Sequence, residues 1–422
     1  MLEKTGLWKI KQKFPSRKLP DLKQSVINEV RAAWPKAAIK PGARVALTVG
    51  SRGIANLALM VKAICEELRA QGAVPVIIPA MGSHGGATPE GQTQVLADYG
   101  ISPESTGAEI DARMEVELAG VSPEGMNVYV AKSALECDHI IVFNRVKAHT
   151  DFKGDIESGL CKMMAIGLGK RAGASYYHRY IIDMGFAKAL ESAGSYVLGQ
   201  GKVAFGLAVV EDAYEDTAIV KHLMPNELVA AEKELLKTAK DYMARLPFKT
   251  ADILMIDYIG KNISGTGMDT NVIGRFKSIY VKDDLPEPYI KRIYIRDLTP
   301  ESHGNGLGMG RADFVSKKLY DKLDWEPMYV NGITGLGLEN ARLPIVRKDD
   351  RQALEALDIT IGHVAPEDLK FIWIRDTLTL YECVVSGGYL EECRGRDDIE
   401  IVEKVDVSFD KDGYLIAPWS KH

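Results

Sequence analysis

The sequence has 422 residues, of which 46% are apolar and 26% are charged, with a net charge of −5 at neutral pH. This composition is typical of a globular protein with two or three domains. The negative net charge excludes a general attraction to nucleic acid or to anionic membranes. No apolar run approaches the roughly 20 residues of a membrane helix. The first residues, MLEKTGLWKIKQKFPSRK, lack the apolar stretch of a secretory signal.

The cysteines also bear on the compartment in which the protein works. Their number is odd, and no two of them have the spacing of a CxxC pair. They are Cys65, Cys137, Cys161, Cys383 and Cys393. A disulfide framework is therefore not expected, and a reducing compartment is favoured. Together with the absence of a signal, this predicts a cytoplasmic protein.

The first half of the chain alternates short apolar runs with glycine-containing loops and helical patterns. The predicted strands are residues 44–49, 74–80, 127–132 and 138–146. An amphipathic helix is predicted over residues 54–72, with a glycine at its end. Thr88 and Pro89 are suited to the N-cap and the first position of a further helix. The alternation of strands and helices predicts a parallel α/β sheet.

The second half repeats this pattern after a helix that ends near residue 246. We therefore expect an N-terminal domain of residues 1–246 and a C-terminal domain of residues 247–422. The C-terminal elements are predicted as strands over 252–258, 289–296 and 368–375, with helices near 311–324 and 350–357. The predicted fold class is α/β, with two Rossmann-like domains and the active site in the cleft between them.

Ligands of such sheets bind at the carboxyl ends of the strands, so the loops that follow the strands are where chemistry is expected. These loops read GSRG, MGSHGG, NRVKAHTDFKGD and GKNISGTG. In the first, Arg52 could hold a carboxylate or a phosphate through two parallel hydrogen bonds. His84 and His149, in the second and third, could act as general acids or bases or as metal ligands. The alternatives are a surface arginine and histidines that hydrogen-bond within their loops.

A lysine and a further histidine follow His149 within a glycine-rich stretch. Lys162 lies among Leu, Met and Ile residues, where poor solvation would lower its pKa and make its amine nucleophilic. The alternative is a surface lysine with a partly buried stem. His178 would lie about 24 Å from Lys162 if one straight helix joined them, at 1.5 Å per residue. The glycines between them predict that the chain turns and permits the two side chains to converge.

The order GSHGG, KAHTDFKGDIESGLCK and YYH resembles the nickel-dependent lactate racemase family, over roughly residues 20–240 and more loosely beyond. In that family a lysine is joined covalently to a nickel-pincer nucleotide, a pyridinium-3,5-bisthiocarboxylic acid mononucleotide. One histidine completes the nickel coordination, and two others flank the substrate as acid and base. The resemblance implies Lys162 as the tether, His178 as the nickel ligand, His84 and His149 as the catalytic pair, and Arg52 as the carboxylate-binding arginine.

The second half also carries a segment that resembles the family. MDTNVIGRFK (268–277) is similar to a family segment that leads to a substrate-contacting lysine, which would be Lys277. Departures occur at Gly274, where the family usually has glutamine, and at SGLCK (158–162), where it usually has GGRK. The first loop reads VGSRGI, where the family often has an acidic residue followed by TRP. The identity of the hydroxy acid is therefore left open.

The resemblance implies an isomerase that racemises or epimerises a small 2-hydroxy acid by reversible transfer of the α-hydride to the cofactor. Its partners would be that acid and the proteins that synthesise the cofactor, with no nucleic acid or membrane, and a homodimer is left open. Two alternatives stand beside it. A divalent-metal hydrolase or lyase would use His84, His149 and His178 directly as ligands. A carrier of the nickel cofactor or of a nucleotide would bind without catalysis.

Overall fold

The computed structural model describes residues 2–51, 53–276, 278, 281 and 283–419, and for His178 it describes the backbone only. Over these residues the chain divides into two compact units. One is Ser16–Met243, and the other combines Met1–Pro15 with Ala244–His422. No helix in the described residues is both long enough and apolar enough to span a membrane.

The strands, in chain order, are β1 (Leu7–Gln12), β2 (Arg44–Val49), β3 (Val74–Pro79), β4 (Glu109–Ile110), β5 (Val116–Val121), β6 (Asn127–Ala131), β7 (His139–Arg145), β8 (Val203–Glu211), β9 (Thr217–Leu223), β10 (Thr250–Ile259), β11 (Tyr289–Leu298), β12 (Phe314–Ser316), β13 (Ile345–Arg347), β14 (Phe371–Ile374), β15 (Glu382–Ser386) and β16 (Ile399–Val405).

The α-helices are α1 (Leu2–Thr5), α2 (Leu22–Ala37), α3 (Leu57–Ala70), α4 (Pro89–Asp98), α5 (Pro103–Thr106), α6 (Lys132–Leu135), α7 (Leu160–Lys162), α8 (Lys170–Met184), α9 (Phe186–Gly199), α10 (Leu228–Tyr242), α11 (Thr270–Ile273), α12 (Lys317–Tyr320), α13 (Trp325–Thr334), α14 (Asp350–Thr360) and α15 (Leu390–Arg394). A π-helix spans Met163–Gly167. Short 3₁₀ turns span Gly85–Ala87, Pro300–Ser302, Met309–Arg311, Leu338–Ala341, Pro366–Asp368 and Gly387–Tyr389.

The unit Ser16–Met243 is built on a sheet with the strand order β4-β3-β2-β7-β8-β9. Its neighbours pair in parallel up to β8, and β9 joins β8 antiparallel. β2 and β3 are buried on both faces after their first residue, which explains their unbroken apolar sequences. Helices α2 and α3 cover one face, where Val30 and Met60 are fully buried. The predicted parallel α/β sheet is thereby confirmed.

One predicted strand of this unit pairs elsewhere. Residues 127–132 form β6 as expected, but β6 pairs antiparallel with β5 in a separate sheet. Its alternating burial is typical of a strand with one solvated face, unlike the wholly buried strands of the parallel sheet.

The other unit has a mixed sheet with the order β13-β12-β11-β10-β14-β15-β1-β16. The strands from β13 to β14 pair in parallel, and β15, β1 and β16 are antiparallel. The N-terminal residues enter this sheet because β1 bonds to β15 on one side and β16 on the other, with Leu7 and Ile10 fully buried. Residues 1–15 thus pack with the C-terminal half, whereas the sequence had assigned them to the domain of residues 1–246.

The helix predicted near 311–324 is wrong. Phe314 and Val315 instead form β12, which pairs with β11 and β13. Ser316 then caps α12 by accepting a hydrogen bond from the amide of Leu319. Three strand residues are too few to show a clear hydrophobic periodicity. The sequence pattern therefore predicted them as part of the helix that follows.

Candidate functional site

The structure brings the loops that follow β2, β3 and β7 to one edge of a sheet. These strands are parallel neighbours in the unit Ser16–Met243, so their carboxyl ends lie side by side. Ser51 follows β2, His84 follows β3 and His149 follows β7. Arg52, the predicted carboxylate ligand of the first loop, lies outside the described residues. Lys277, the second predicted carboxylate ligand, also lies outside them.

His84 is exposed in a tight loop between β3 and α4. Gly82 and Gly85 have φ angles of 61° and 64°, which favour glycine, and they turn the chain sharply on either side of His84. The imidazole Nδ1 lies 2.5 Å from Ser51 Oγ. Ser51 is itself held by Tyr99, whose hydroxyl donates to the Ser51 carbonyl at 2.8 Å. The His84 ring is therefore oriented through Nδ1, and Nε2 is the ring nitrogen directed away from this contact.

The backbone of His149 is held by a buried carboxylate. Glu157 Oε2 accepts the N–H of His149 at 2.6 Å, and Oε1 accepts the N–H of Gly154 at 3.2 Å. Lys240 Nζ, from α10, lies 2.7 Å from the same Oε1, and the Glu157 side chain is fully buried. A charge buried in this way needs both its ion pair and its hydrogen bonds. Glu157 therefore fixes the loop that presents His149.

The His149 ring is half-buried, and its tautomer follows from its contacts. It stacks on Phe152 at a centroid distance of 4.1 Å, and Phe152 stacks on Phe186 at 4.0 Å. The amide of Asp151 donates to Nδ1 at 3.1 Å. Because a backbone N–H can only donate, Nδ1 is the acceptor and the neutral ring carries its hydrogen on Nε2. In this state His149 offers a hydrogen-bond donor, not a base, at Nε2.

Lys162 lies in a segment of unusual backbone, residues 159–169, which we call the Lys162 segment. It begins with α7 and continues as the π-helix. Lys162 is half-buried, between the fully buried Cys161 and the almost fully buried Met163. π-Helical turns within helices are rare and are frequent at functional sites. Part of the Lys162 side chain is thus accessible, although its neighbours in the chain are buried.

The Lys162 segment lies against the carboxyl ends of the same strands. A Cβ on Gly167 would come within 2.7 Å of the Ala80 carbonyl oxygen, just beyond β3. A Cβ on Gly50, just beyond β2, would lie 3.2 Å from a methionine side chain of the segment. In β7, Asn144 donates to the Gly159 carbonyl at 2.8 Å. The glycines are needed for this close approach, which places the segment beside the loops of His84 and His149.

His178 lies in α8, which begins at Lys170. Lys170 has a φ of 51°, so the helical path from Lys162 is interrupted there. The interruption agrees with the expected break between Lys162 and His178, whose side chain is outside the description. Among the side chains that are described, no three His, Cys, Asp or Glu residues are grouped so that they could hold a metal ion.

The cysteines named above are buried, and none is paired in a disulfide in the described structure. Burial raises the pKa of Cys161 well above its usual value, with a further contribution from the neighbouring Glu232. Cys161 therefore stays a thiol and packs in the core.

Glu232 of α10 lies beneath the Lys162 segment. Its Oε2 accepts the N–H of Cys161 at 2.9 Å, whereas Oε1 has no hydrogen-bond partner in the described structure. Loss of hydration on burial raises the pKa of Glu232 to about 7, and the hydrogen bonds from Cys161 oppose this only in part.

Glu232→Gln should remove a pH dependence of stability. The folded protein binds a proton at Glu232 between pH 4.5 and 7 that the unfolded chain releases, so stability falls as pH rises through this window. The loss is on the order of 3 kcal/mol. Urea unfolding at pH 5 and pH 8 should show this loss in the wild type and not in the variant. Glu234→Gln, exposed on the same helix, is the matched control, and an unchanged pH dependence in Glu232→Gln would contradict the assignment.

Several residues of this site carry no signal in the sequence. Ser51 is the exception and could have been noted, because it lies in the loop that follows a predicted strand. Glu157 and Glu232 have ordinary helix or loop surroundings, and only their burial against other elements reveals them. Lys170 belongs to the glycine-rich stretch singled out above, but its sequence neighbours do not distinguish it from a surface lysine.

The chain resembles known proteins in sequence over part of its length and in structure. The family model described as lactate racemase N-terminal domain matches residues 18–187. The structure is similar to that of the lactate racemase apoprotein from Thermoanaerobacterium thermosaccharolyticum, with a TM-score of 0.50 and 16% identity over 88% of this chain and 99% of that chain. A Thermotoga maritima protein has a TM-score of 0.49 and 14% identity over 67% of this chain and 72% of its own. No curated protein sequence matches the chain.

Proposed function

We propose that the chain is a divergent member of the lactate racemase family and that it racemises or epimerises a 2-hydroxy acid with a nickel-pincer nucleotide tethered to Lys162. The observation that supports this most directly is the packing of the Lys162 segment against the ends of β2, β3 and β7. It sets a half-buried lysine beside two loops that each carry a histidine.

The residues of the site fit such a cofactor. A pincer ligand occupies most of the coordination positions of its metal, so the protein has to add a single imidazole, and imidazole suits nickel. Lys162 would hold the nucleotide and His178 would bind the metal. When bound, the group would accept and return the α-hydride.

The histidines would divide the proton transfer between them. In the tautomer that donates Nδ1–H to Ser51 Oγ, His84 would carry a lone pair on Nε2 and could take the proton of the substrate hydroxyl. In the described tautomer His149 would donate a hydrogen bond from Nε2 to the substrate oxygen, and it would return a proton there only as an imidazolium, after the Asp151 amide releases Nδ1. The opposite enantiomer requires the reverse order, in which His149 takes the hydroxyl proton at Nε2 and His84 returns it. Arg52, with Lys277, would hold the substrate carboxylate.

Single enantiomers of several 2-hydroxy acids, deuterated at the α-carbon, should test the reaction. The protein, co-expressed with cofactor-synthesis enzymes and nickel, should convert one acid to a mixture of stereoisomers that retain the deuterium. Retention is expected because a hydride returned from the cofactor does not exchange with water. Chiral chromatography and mass spectrometry would measure both quantities, with protein made without the synthesis enzymes as control. No conversion by protein shown to carry the adduct, or loss of deuterium to water, would contradict the proposal.

A further inference from the structure

Lys170 is a fully buried lysine to which the proposed reaction gives no role. Its Nζ donates to the Pro79 carbonyl at 2.6 Å and to Gln92 Oε1 at 3.2 Å. Burial lowers the pKa of Lys170 to about 8, against smaller opposing effects of Asp111 and Glu115. Burying a charged amine costs free energy, and groups with shifted pKa values are frequent at functional sites. Lys170 is therefore a candidate for a role in this site.

Gln92 connects Lys170 to the loop of His84. Its side chain is fully buried on α4, and Nε2 donates to the carbonyls of Gly82 at 3.1 Å and His84 at 3.2 Å. The ammonium group of Lys170 can only donate, so it fixes which end of the Gln92 amide faces it. Oε1 must point to Lys170, and both N–H groups are then directed to the loop.

Lys170 and Gln92 together connect the His84 loop with the Lys162 segment. Lys170 follows the Lys162 segment directly, and Pro79 is the last residue of β3, from which the His84 loop departs. Gly82 approaches the segment so closely that a Cβ there would lie 3.2 Å from Ile166. A shift of this loop would therefore move His84 relative to Lys162.

We propose that Gln92, oriented by Lys170, is a positioning residue that holds the His84 loop in register with the Lys162 segment. This inference rests on the proposed function, since it assigns His84 to proton transfer. The structural part of the proposal is that Gln92 sets the geometry of the His84 imidazole. This part does not depend on the cofactor or the substrate.

Gln92→Glu is the sharpest test. The carboxylate keeps the size of the side chain and a partner for Lys170, but it cannot donate to the Gly82 and His84 carbonyls and instead repels them. In the protein without cofactor, ¹⁵N spectra of the histidine rings should show an altered tautomer balance and titration at His84, assigned with His84→Gln. In the loaded enzyme kcat should fall about 10- to 100-fold, because small misplacements of a catalytic group have effects of this size. KM should change far less.

Matched variants separate positioning from folding. Gln94→Glu makes the same change on the exposed side of α4 and should leave the His84 signals and kcat as in the wild type. Lys170→Met removes the amine, keeps most of the buried volume, and should alter the His84 signals in the same direction as Gln92→Glu. It also serves as the second test if Gln92→Glu does not fold.

Unchanged His84 spectra in both folded variants would overturn the inference, whatever the activity. Altered His84 spectra in the variants, together with a loaded wild-type protein that has no racemase activity, would support the positioning role and contradict the proposed function. The two failures are therefore distinguishable in one set of samples.

Discussion

Lys162→Met should give a protein that folds normally and never acquires the cofactor. Intact mass after co-expression with the cofactor-synthesis enzymes and nickel should show the adduct on the wild type and the unmodified mass for the variant. Racemase activity should be abolished. Methionine is similar to lysine in length and volume, so it should fit the same position, but it has no amine with which to form the covalent bond.

The position of the adduct is as informative as its presence. Peptide mapping of the wild type should place it on Lys162. Lys188→Met, at an exposed position of α9, should load as fully as the wild type. Loading of the Lys162→Met protein would show that another residue is the tether. Absence of the adduct from the wild type, in a host that matures a known lactate racemase, would favour the hydrolase alternative. Bound zinc or iron without a nucleotide would then be the expected finding.

The elements that the sequence predicted well are those specified by nearby residues. The Thr88 hydroxyl accepts from the Gly91 amide at the start of α4, as its place before Pro89 predicts. β2 and β3 are apolar because both of their faces are buried, and this shows in the sequence as unbroken runs. The placement of His84 and His149 in loops after strands follows from the same local patterns.

The features that the sequence did not predict depend on contacts between distant parts of the chain. β1 lies between β15 and β16, strands from the other end of the chain, and nothing within residues 1–15 indicates that pairing. Lys170 and Glu232 are charged residues that sequence patterns assign to the surface. Their burial depends on α4 and on the Lys162 segment, which approach them only in the folded protein. The cleft predicted between two domains stays a prediction.

His84→Gln and His149→Gln should each lower kcat/KM of the loaded enzyme by about 10²- to 10⁴-fold, the range expected for loss of a general acid or base. Glutamine can still hydrogen-bond to Ser51 Oγ at the first position and accept from the Asp151 amide at the second. It cannot take or release a proton at neutral pH. The variants therefore keep the contacts that orient each side chain and remove the chemistry alone.

The rates in the two directions provide an internal control, because the equilibrium constant between two stereoisomers does not depend on the enzyme. The ratio of kcat/KM in the two directions cannot change, so each variant must lose the same factor in both. Mass spectrometry should show full loading of both variants, and His363→Gln, an exposed histidine of the other unit, should retain wild-type rates. A fall of only a few fold in both variants, with loading intact, would remove both histidines from proton transfer. A large fall in His84→Gln alone would mean that a water or another residue donates the proton proposed for His149.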